Sequence, residues 1–183
     1  MLRIFQDKYP RINPKAWVAN EACVIGEVTM QEYSSVWFNA TVRADINKIT
    51  IGAYSNIQDN AVLHVADEYG CIVGDYVTVG HGAILHACTI ENHCLIGMNA
   101  TVLNGAVIGE GSIVAAGALV TNGTVVPPHS LVVGVPGKVR ATITAQQYDE
   151  IMAQALKYKT LWAEWYNILP DNDGEKYDGH KII

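Results

Sequence analysis

From Val73 onward a large aliphatic residue returns every six positions: Val73, Val79, Leu85, Ile90, Ile96, Val102, Ile108, Val114, Val120 and Val126. Four places after each lies a small or β-branched residue: Val77, Ala83, Thr89, Cys94, Ala100, Ala106, Ser112, Ala118, Thr124 and Ser130. The hexad led by Leu85 is one residue short. The N-terminal half follows the same rule. Val18, Val24, Met30, Val36 and Val42 lead hexads whose fifth residues are Ala22, Val28, Ser34, Ala40 and Ile46. After an interruption the pattern resumes at Ile51, Ile57 and Leu63, with Ser55 and Ala61 in fifth place, and a second interruption spans Ala66 to Ile72.

Neither the 3.6-residue period of a helix nor the two-residue period of a plain strand generates this spacing. Short strands joined by tight corners do, each sending one large aliphatic and one small side chain inward. Three such strands close a triangular coil of about 18 residues, and successive coils stack as parallel sheet. Residues 18 to about 133 then build roughly six coils. Glycine recurs in second place (Gly52, Gly74, Gly80, Gly97, Gly109), next to corners that demand unusual backbone angles. The pattern divides the chain into a β-helix domain, 1–143, with a lead-in over 1–15, a C-terminal helix, 144–169, and a polar tail, 170–183. For the helix, Thr144 to Gln147 reads as a capping box, and Ile151, Met152, Ala155, Trp162 and Tyr166 recur at helical spacing. The helix is expected over about 145–168, packed on the β-helix or on a neighbour, with Pro170 closing it and a loosely held tail beyond.

Composition agrees with such a core. Half of the residues are hydrophobic, yet only two are Phe. Columns of Val, Ile and Ala fill a narrow coil where aromatic rings would not. No apolar stretch approaches the roughly 20 residues of a membrane-spanning helix, and the N-terminus lacks the apolar segment of a secretory signal. A cytoplasmic protein is expected, and Cys23, Cys71, Cys88 and Cys94, with no CxxC pair, are expected as free thiols. The net charge of −6 argues against a nucleic-acid partner.

Histidine placement carries the chemistry. His64 and His86 are each second in their hexads, after Leu63 and Leu85, three faces apart along the chain. They fall on the same face of adjacent coils, about 4.8 Å apart at the backbone, pointing outward, where two imidazoles can chelate one metal ion. His81 is third in its hexad, one face earlier, and does not reach that ion within its own chain. A neighbour around a threefold axis presents it instead, which suggests a homotrimer with metal sites at its interfaces. Three neutral imidazoles and an open position form a catalytic zinc pattern. His93, His129 and His180 have no such partners and read as polar corner residues. Arg43 and Gln58 are also second in their hexads and are expected to stack beside His64, with Asp45, Asn56 and Asp59 nearby. Arg43 and Asp45 suit an interface ion pair, and the Gln58 amide suits orientation of a metal-bound hydroxide or a substrate.

The set Arg43-x-Asp45, Asn56-x-Gln58-Asp59, His64 and His81-x4-His86 resembles the gamma-class carbonic anhydrase family of hexapeptide-repeat proteins, and most of all its short bacterial members, over roughly residues 10 to 165. The resemblance implies an all-β fold, a left-handed parallel β-helix with a C-terminal helix. It implies Zn²⁺, or Fe²⁺ or Co²⁺, held by His64 and His86 of one chain and His81 of the next. It also implies reversible hydration of CO₂ to bicarbonate by a trihistidine-bound hydroxide. Arg43 and Asp45 would stabilise the trimer, Gln58 would bond the hydroxide, and Asn56 and Asp59 would complete the polar shell. Tyr158 would lie near the metal. Well-characterised members carry one glutamate directly after Arg-x-Asp and another in a long acidic loop after the first histidine. Here Ile46 and the short Val65–Gly70 loop stand there, leaving Asp67 and Glu68 as the candidate proton relay. Two other readings stand beside this one. A metal-binding trimer with little or no activity keeps the histidines without the glutamates. An acyl-CoA-dependent acyltransferase would use His81 as base and leave His64 and His86 without a role.

Overall fold

The structure, a computed structural model, describes residues 1–179. The hexad leads form three continuous columns of paired strands. Val24, Val42, Leu63, Leu85, Val102 and Val120 stand in register on one face. Met30, Ile51, Val73, Ile90, Ile108 and Val126 do so on the second. Val18, Val36, Ile57, Val79, Ile96, Val114 and Val132 form the third. Every pairing in these columns is parallel, and all of these side chains except the half-buried Val18 are buried, so the coil interior is one aliphatic core. At about 1.5–3 kcal/mol per buried large aliphatic, this core is the main favourable term in folding.

Regular coils are 18 residues long, as from Val102 to Val120 and from Ile108 to Val126. Three departures cluster at the coils that carry the histidines. In the strand Thr41–Ile51 the register jumps opposite Glu27, because Gly26 pairs with Ala44 but Val28 with Ile49. Residues Asp45 to Lys48 therefore bulge outward. Ile46, expected inside as a fifth residue, is 52% exposed on this bulge, and Ala44 fills the interior. The Val65–Gly70 loop is the second insertion. The third departure is the short hexad, where the deletion passes the inward place to Cys88 and turns Thr89 outward.

The helix covers the third face. It runs Ala145–Thr160, and the capping box is formed: Gln147 N–H donates to Thr144 Oγ1 and Thr144 N–H to Gln147 Oε1. Ile151, Ala155 and Trp162 are buried, as their spacing predicts, whereas Tyr166 is half exposed. The regular helix ends earlier than expected. Leu161–Trp165 winds as a π-helical turn, and Asn167 then takes φ +58°, so the helix stops before Pro170 acts. Trp162 stacks on Trp17, which ties the helix end to the first coil.

One corner column of left-handed residues, Tyr33, Tyr54 and Tyr76, stacks its rings 4.8–5.0 Å apart. The tail docks on it, contrary to the loose tail expected. Asp173 bonds both Lys15 and the Tyr33 hydroxyl, Glu175 accepts from the Tyr76 hydroxyl, and Glu175 N–H donates to Tyr54 Oη. All four cysteines are free thiols. No helix among the described residues is long and apolar enough to cross a membrane.

Candidate metal centre

Two half-sites lie on different faces of one chain. The first is a column on adjacent strands: Arg43 pairs with His64, and His64 with His86. Alternation along each strand turns the leucines Leu63 and Leu85 inward and both histidines outward. In each ring one nitrogen faces an oxygen and the other faces the neighbouring histidine. His64 Nε2 faces Asp45 Oδ1 at 3.2 Å, and His86 Nδ1 faces Asn104 Oδ1 at 2.7 Å. An oxygen acceptor there fixes the proton on that nitrogen, leaving His64 Nδ1 and His86 Nε2 as lone-pair donors. These two lie 3.1 Å apart. Two imidazole nitrogens on one tetrahedral zinc stand about 3.3 Å apart, given Zn–N bonds of about 2.0–2.1 Å. The donor set therefore fits a divalent cation.

Burial, reinforced by the Arg43 charge, lowers the His64 pKa and so favours the neutral, ligating ring. Burial pushes the Asp45 carboxyl up, but the Arg43 guanidinium and the Ile46 N–H outweigh it and hold the group below the ordinary carboxylate range.

The second half-site lies on the helix-covered face. Asp59 and His81 occupy equivalent places on adjacent coils, and His81 Nδ1 meets Asp59 Oδ2 at 2.7 Å. The other ring nitrogen, His81 Nε2, is 3.4 Å from Tyr158 Oη, within hydrogen-bonding distance. Burial, then the Asp59 charge, raises the Tyr158 pKa, so its hydroxyl keeps its proton. Trp37 holds that ring edge-to-face, with centroids 5.1 Å apart. Beside it, Gln58 Nε2 donates to Asn56 Oδ1, and both side chains are buried. A cavity of about 340 Å³ opens between the helix and this face, with Gln58, Thr78, Leu95, Ile113 and Ile151 in its wall.

This placement corrects one expectation. Gln58 does not stack with Arg43 and His64, because hexads six residues apart lie on successive faces; it stands in register with Trp37 and Gly80 instead. Among the described residues, no single chain gathers three metal-ligating groups. Asp67 and Glu68 are exposed, and no hydrogen bond or ion pair links either carboxylate to His64 among the described residues. Their loop is pinned by Asn47 Nδ2, which donates to the Ala66 and Asp67 carbonyls. His93 and His129 take left-handed corner conformations; His93 bonds Tyr148 Oη at 2.8 Å and Glu110 at 3.2 Å, and the His129 ring packs against Tyr148. His180 lies outside the described residues. Sequence reasoning missed Asn104 and Thr78. Each lies one coil beyond a residue that it singled out, Asn104 after His86 and Thr78 after Asn56.

Residues 87–122 match the family described as bacterial transferase hexapeptide (six repeats). A crystal structure described as a hexapeptide transferase family protein from Anaplasma phagocytophilum superposes with a TM-score of 0.84. It is 36% identical, over 87% of this chain and 95% of that one. "Gamma carbonic anhydrase 1, mitochondrial" of Arabidopsis thaliana is 42% identical over 107 residues, 55% of this chain and 38% of its own length. A Methanocaldococcus jannaschii protein named "Probable carbonic anhydrase" is 57% identical over 150 residues, which cover 82% of this chain and 94% of the relative. The chain belongs to the gamma-class carbonic anhydrase family. In this gamma-class carbonic anhydrase family member, one histidine cluster presents two facing imidazole nitrogens and the other presents one.

Proposed function

We propose that the protein is a trimeric, metal-dependent carbonic anhydrase whose centres form between subunits. His64 and His86 of one chain and His81 of the next would hold Zn²⁺, Fe²⁺ or Co²⁺. The observation that carries the reading is the pair of facing nitrogens: His64 Nδ1 and His86 Nε2 lie 3.1 Å apart, each ring fixed from behind by Asp45 or Asn104. The bound cation would act as a Lewis acid that lowers the pKa of a coordinated water to about 7, supplying hydroxide at neutral pH for attack on CO₂.

The chain's own residues do the rest. Asp45, Asn104 and Asp59 keep the three imidazoles in the ligating tautomer. Gln58 orients the attacking O–H, and the Tyr158 hydroxyl and the Asn56–Gln58 pair line the substrate's side of the centre. Arg43 and Asp45 lie beside the histidines as the charged part of the contact. The outward Val62 and Ile84, two residues before His64 and His86, are 36% and 41% exposed. Such an apolar pair beside a half-site favours cover by a second copy. The exposed carboxylates of Asp67 and Glu68, in the loop directly after His64, take the released proton toward solvent.

The test is stopped-flow CO₂ hydration by the purified, metal-loaded protein against a His86→Ala variant, with anomalous scattering at metal edges from a crystal. Activity well above the variant, with metal bridging two chains, is expected. Wild-type activity no higher than that of His86→Ala leaves a metal-binding trimer without catalysis. The transferase name of the structural relative supports a second reading, acyl transfer with His81 as base. Protein purified without added metal and found metal-free would favour it.

A further inference from the structure

Ser35, Asn56 and Thr78 form one column of outward side chains on the helix-covered face, since Asn56 pairs with Ser35 on one side and Thr78 on the other. All three are buried. Above Thr78 the column turns apolar, continuing as Leu95 and Ile113. The hydrogen bonds at this boundary have a direction. Gln58 Nε2 donates to Asn56 Oδ1 at 3.1 Å, and Asn56 Nδ2 donates to Thr78 Oγ1 at 2.9 Å. Thr78 is the terminal acceptor.

That direction fixes what Gln58 presents. With its amide N–H committed to Thr78, Asn56 turns its oxygen toward Gln58. Gln58 must then spend an N–H on Asn56, which leaves its Oε1 for another group. No hydrogen bond to Gln58 Oε1 is formed among the described residues, and Gln58 lines the cavity under the helix. That oxygen is therefore available to accept a hydrogen bond from a group entering the cavity. A metal ligand or a substrate oxygen without a proton cannot satisfy it; an O–H can.

We propose that Thr78 is a positioning residue: its hydroxyl oxygen orients Asn56, and through Asn56 the Gln58 amide, so that Gln58 offers an acceptor to the O–H of the attacking hydroxide. With its proton so accepted, a hydroxide supplied by the bound cation would be left with a lone pair for CO₂. The inference rests on the carbonic anhydrase reading for the identity of the O–H, but the relay itself belongs to the chain alone.

Two readouts test it on the full chain, with Thr78→Val and Thr78→Ser compared to wild type. In metal-free protein, side-chain amide NMR follows solvent exchange of the Asn56 and Gln58 NH₂ groups. In metal-loaded protein, CO₂ hydration gives kcat and KM. Valine keeps the shape and removes the acceptor. It should speed exchange at both amides and lower kcat by about 10- to 100-fold with little change in KM, the range seen when an orienting partner is lost. Serine should restore both readouts to near wild type. Wild-type exchange and kcat in Thr78→Val overturn the proposal. If the valine variant does not assemble, Thr78→Ala is read against Thr78→Ser: loss in alanine with retention in serine supports the relay, and equal behaviour overturns it. If wild-type protein hydrates no CO₂, the carbonic anhydrase reading falls, and the relay is judged on amide exchange alone.

Discussion

Replacing Asp45 by asparagine separates the charge behind His64 from its shape. The carboxylate is only 16% exposed, accepts from Arg43 and from the Ile46 N–H, and lies 3.2 Å from His64 Nε2. The amide is isosteric, yet it changes three things. A charge-assisted bond to the ring becomes a neutral one, about half as strong. The amide N–H competes as a donor to Nε2, which would move the ring proton to Nδ1, the atom that must ligate. Arg43 is left without its carboxylate, so a positive charge beside the cation is no longer balanced. Loss of an orienting partner behind a ligating histidine typically costs 10- to 100-fold in metal affinity. That corresponds to about 1.4–2.8 kcal/mol. The assay is competition for Zn²⁺ against a chelator of known affinity at neutral pH, on protein verified as a trimer. An Asp45→Asn trimer that binds zinc as tightly as wild type would refute the argument that Asp45 fixes the ligating tautomer. The Asp45 pKa is depressed, so its support is fully present above the ordinary carboxylate range and lost only as pH falls through its lower folded value.

Four further outcomes are expected. Asp67→Asn with Glu68→Gln should lower kcat in dilute buffer but not in concentrated imidazole, which replaces the relay; equal loss in both buffers would remove these residues from proton transfer. Ile96→Ala, at a fully buried site in the centre of its column, should cost about 2–5 kcal/mol in denaturant unfolding. Gly26→Ala should disrupt folding, because a Cβ there would lie 2.1 Å from the Ala44 carbonyl oxygen, whereas Gly117→Ala meets open space and should lose only about 1–2 kcal/mol for its left-handed backbone. Lys15 and the Tyr33 hydroxyl hold the Asp173 carboxyl below the ordinary carboxylate range, so at neutral pH Asp173→Asn should lower the hydrogen-exchange protection of residues 171–175 relative to wild type at the same pH.

The coil was legible because its period belongs to the chain itself: every lead residue from Val18 to Val126 sits in the column its spacing assigns. The same counting found His64 over His86 and separated His81 from both. It failed where it was not followed through. Gln58 shares its hexad place with Arg43 but not its face, and Asn104 and Thr78 lie one coil beyond His86 and Asn56. Ile46 and Thr89 were misplaced because an insertion or deletion resets which residue points inward, and the short hexad does not declare where its missing residue falls. The tail was not legible. Its anchor is a corner column of tyrosines whose left-handed backbone and stacked rings leave no periodic trace in the residues that dock on it.

The helix begins at the last coil, and its Tyr158 reaches His81 several coils back, so helix length and coil number are locked together. One added coil raises the helix start by about 4.8 Å. Three extra helical residues would add about 4.5 Å but turn Tyr158 about 60° short of its facing, and four would add about 6 Å and overturn it by about 40°. Neither restores both height and direction. Although its coils repeat, this domain does not grow or shrink by whole repeats between His81 and Thr144 without losing Tyr158 from His81, whereas the bulge, the short loop and the tail lie outside that constraint.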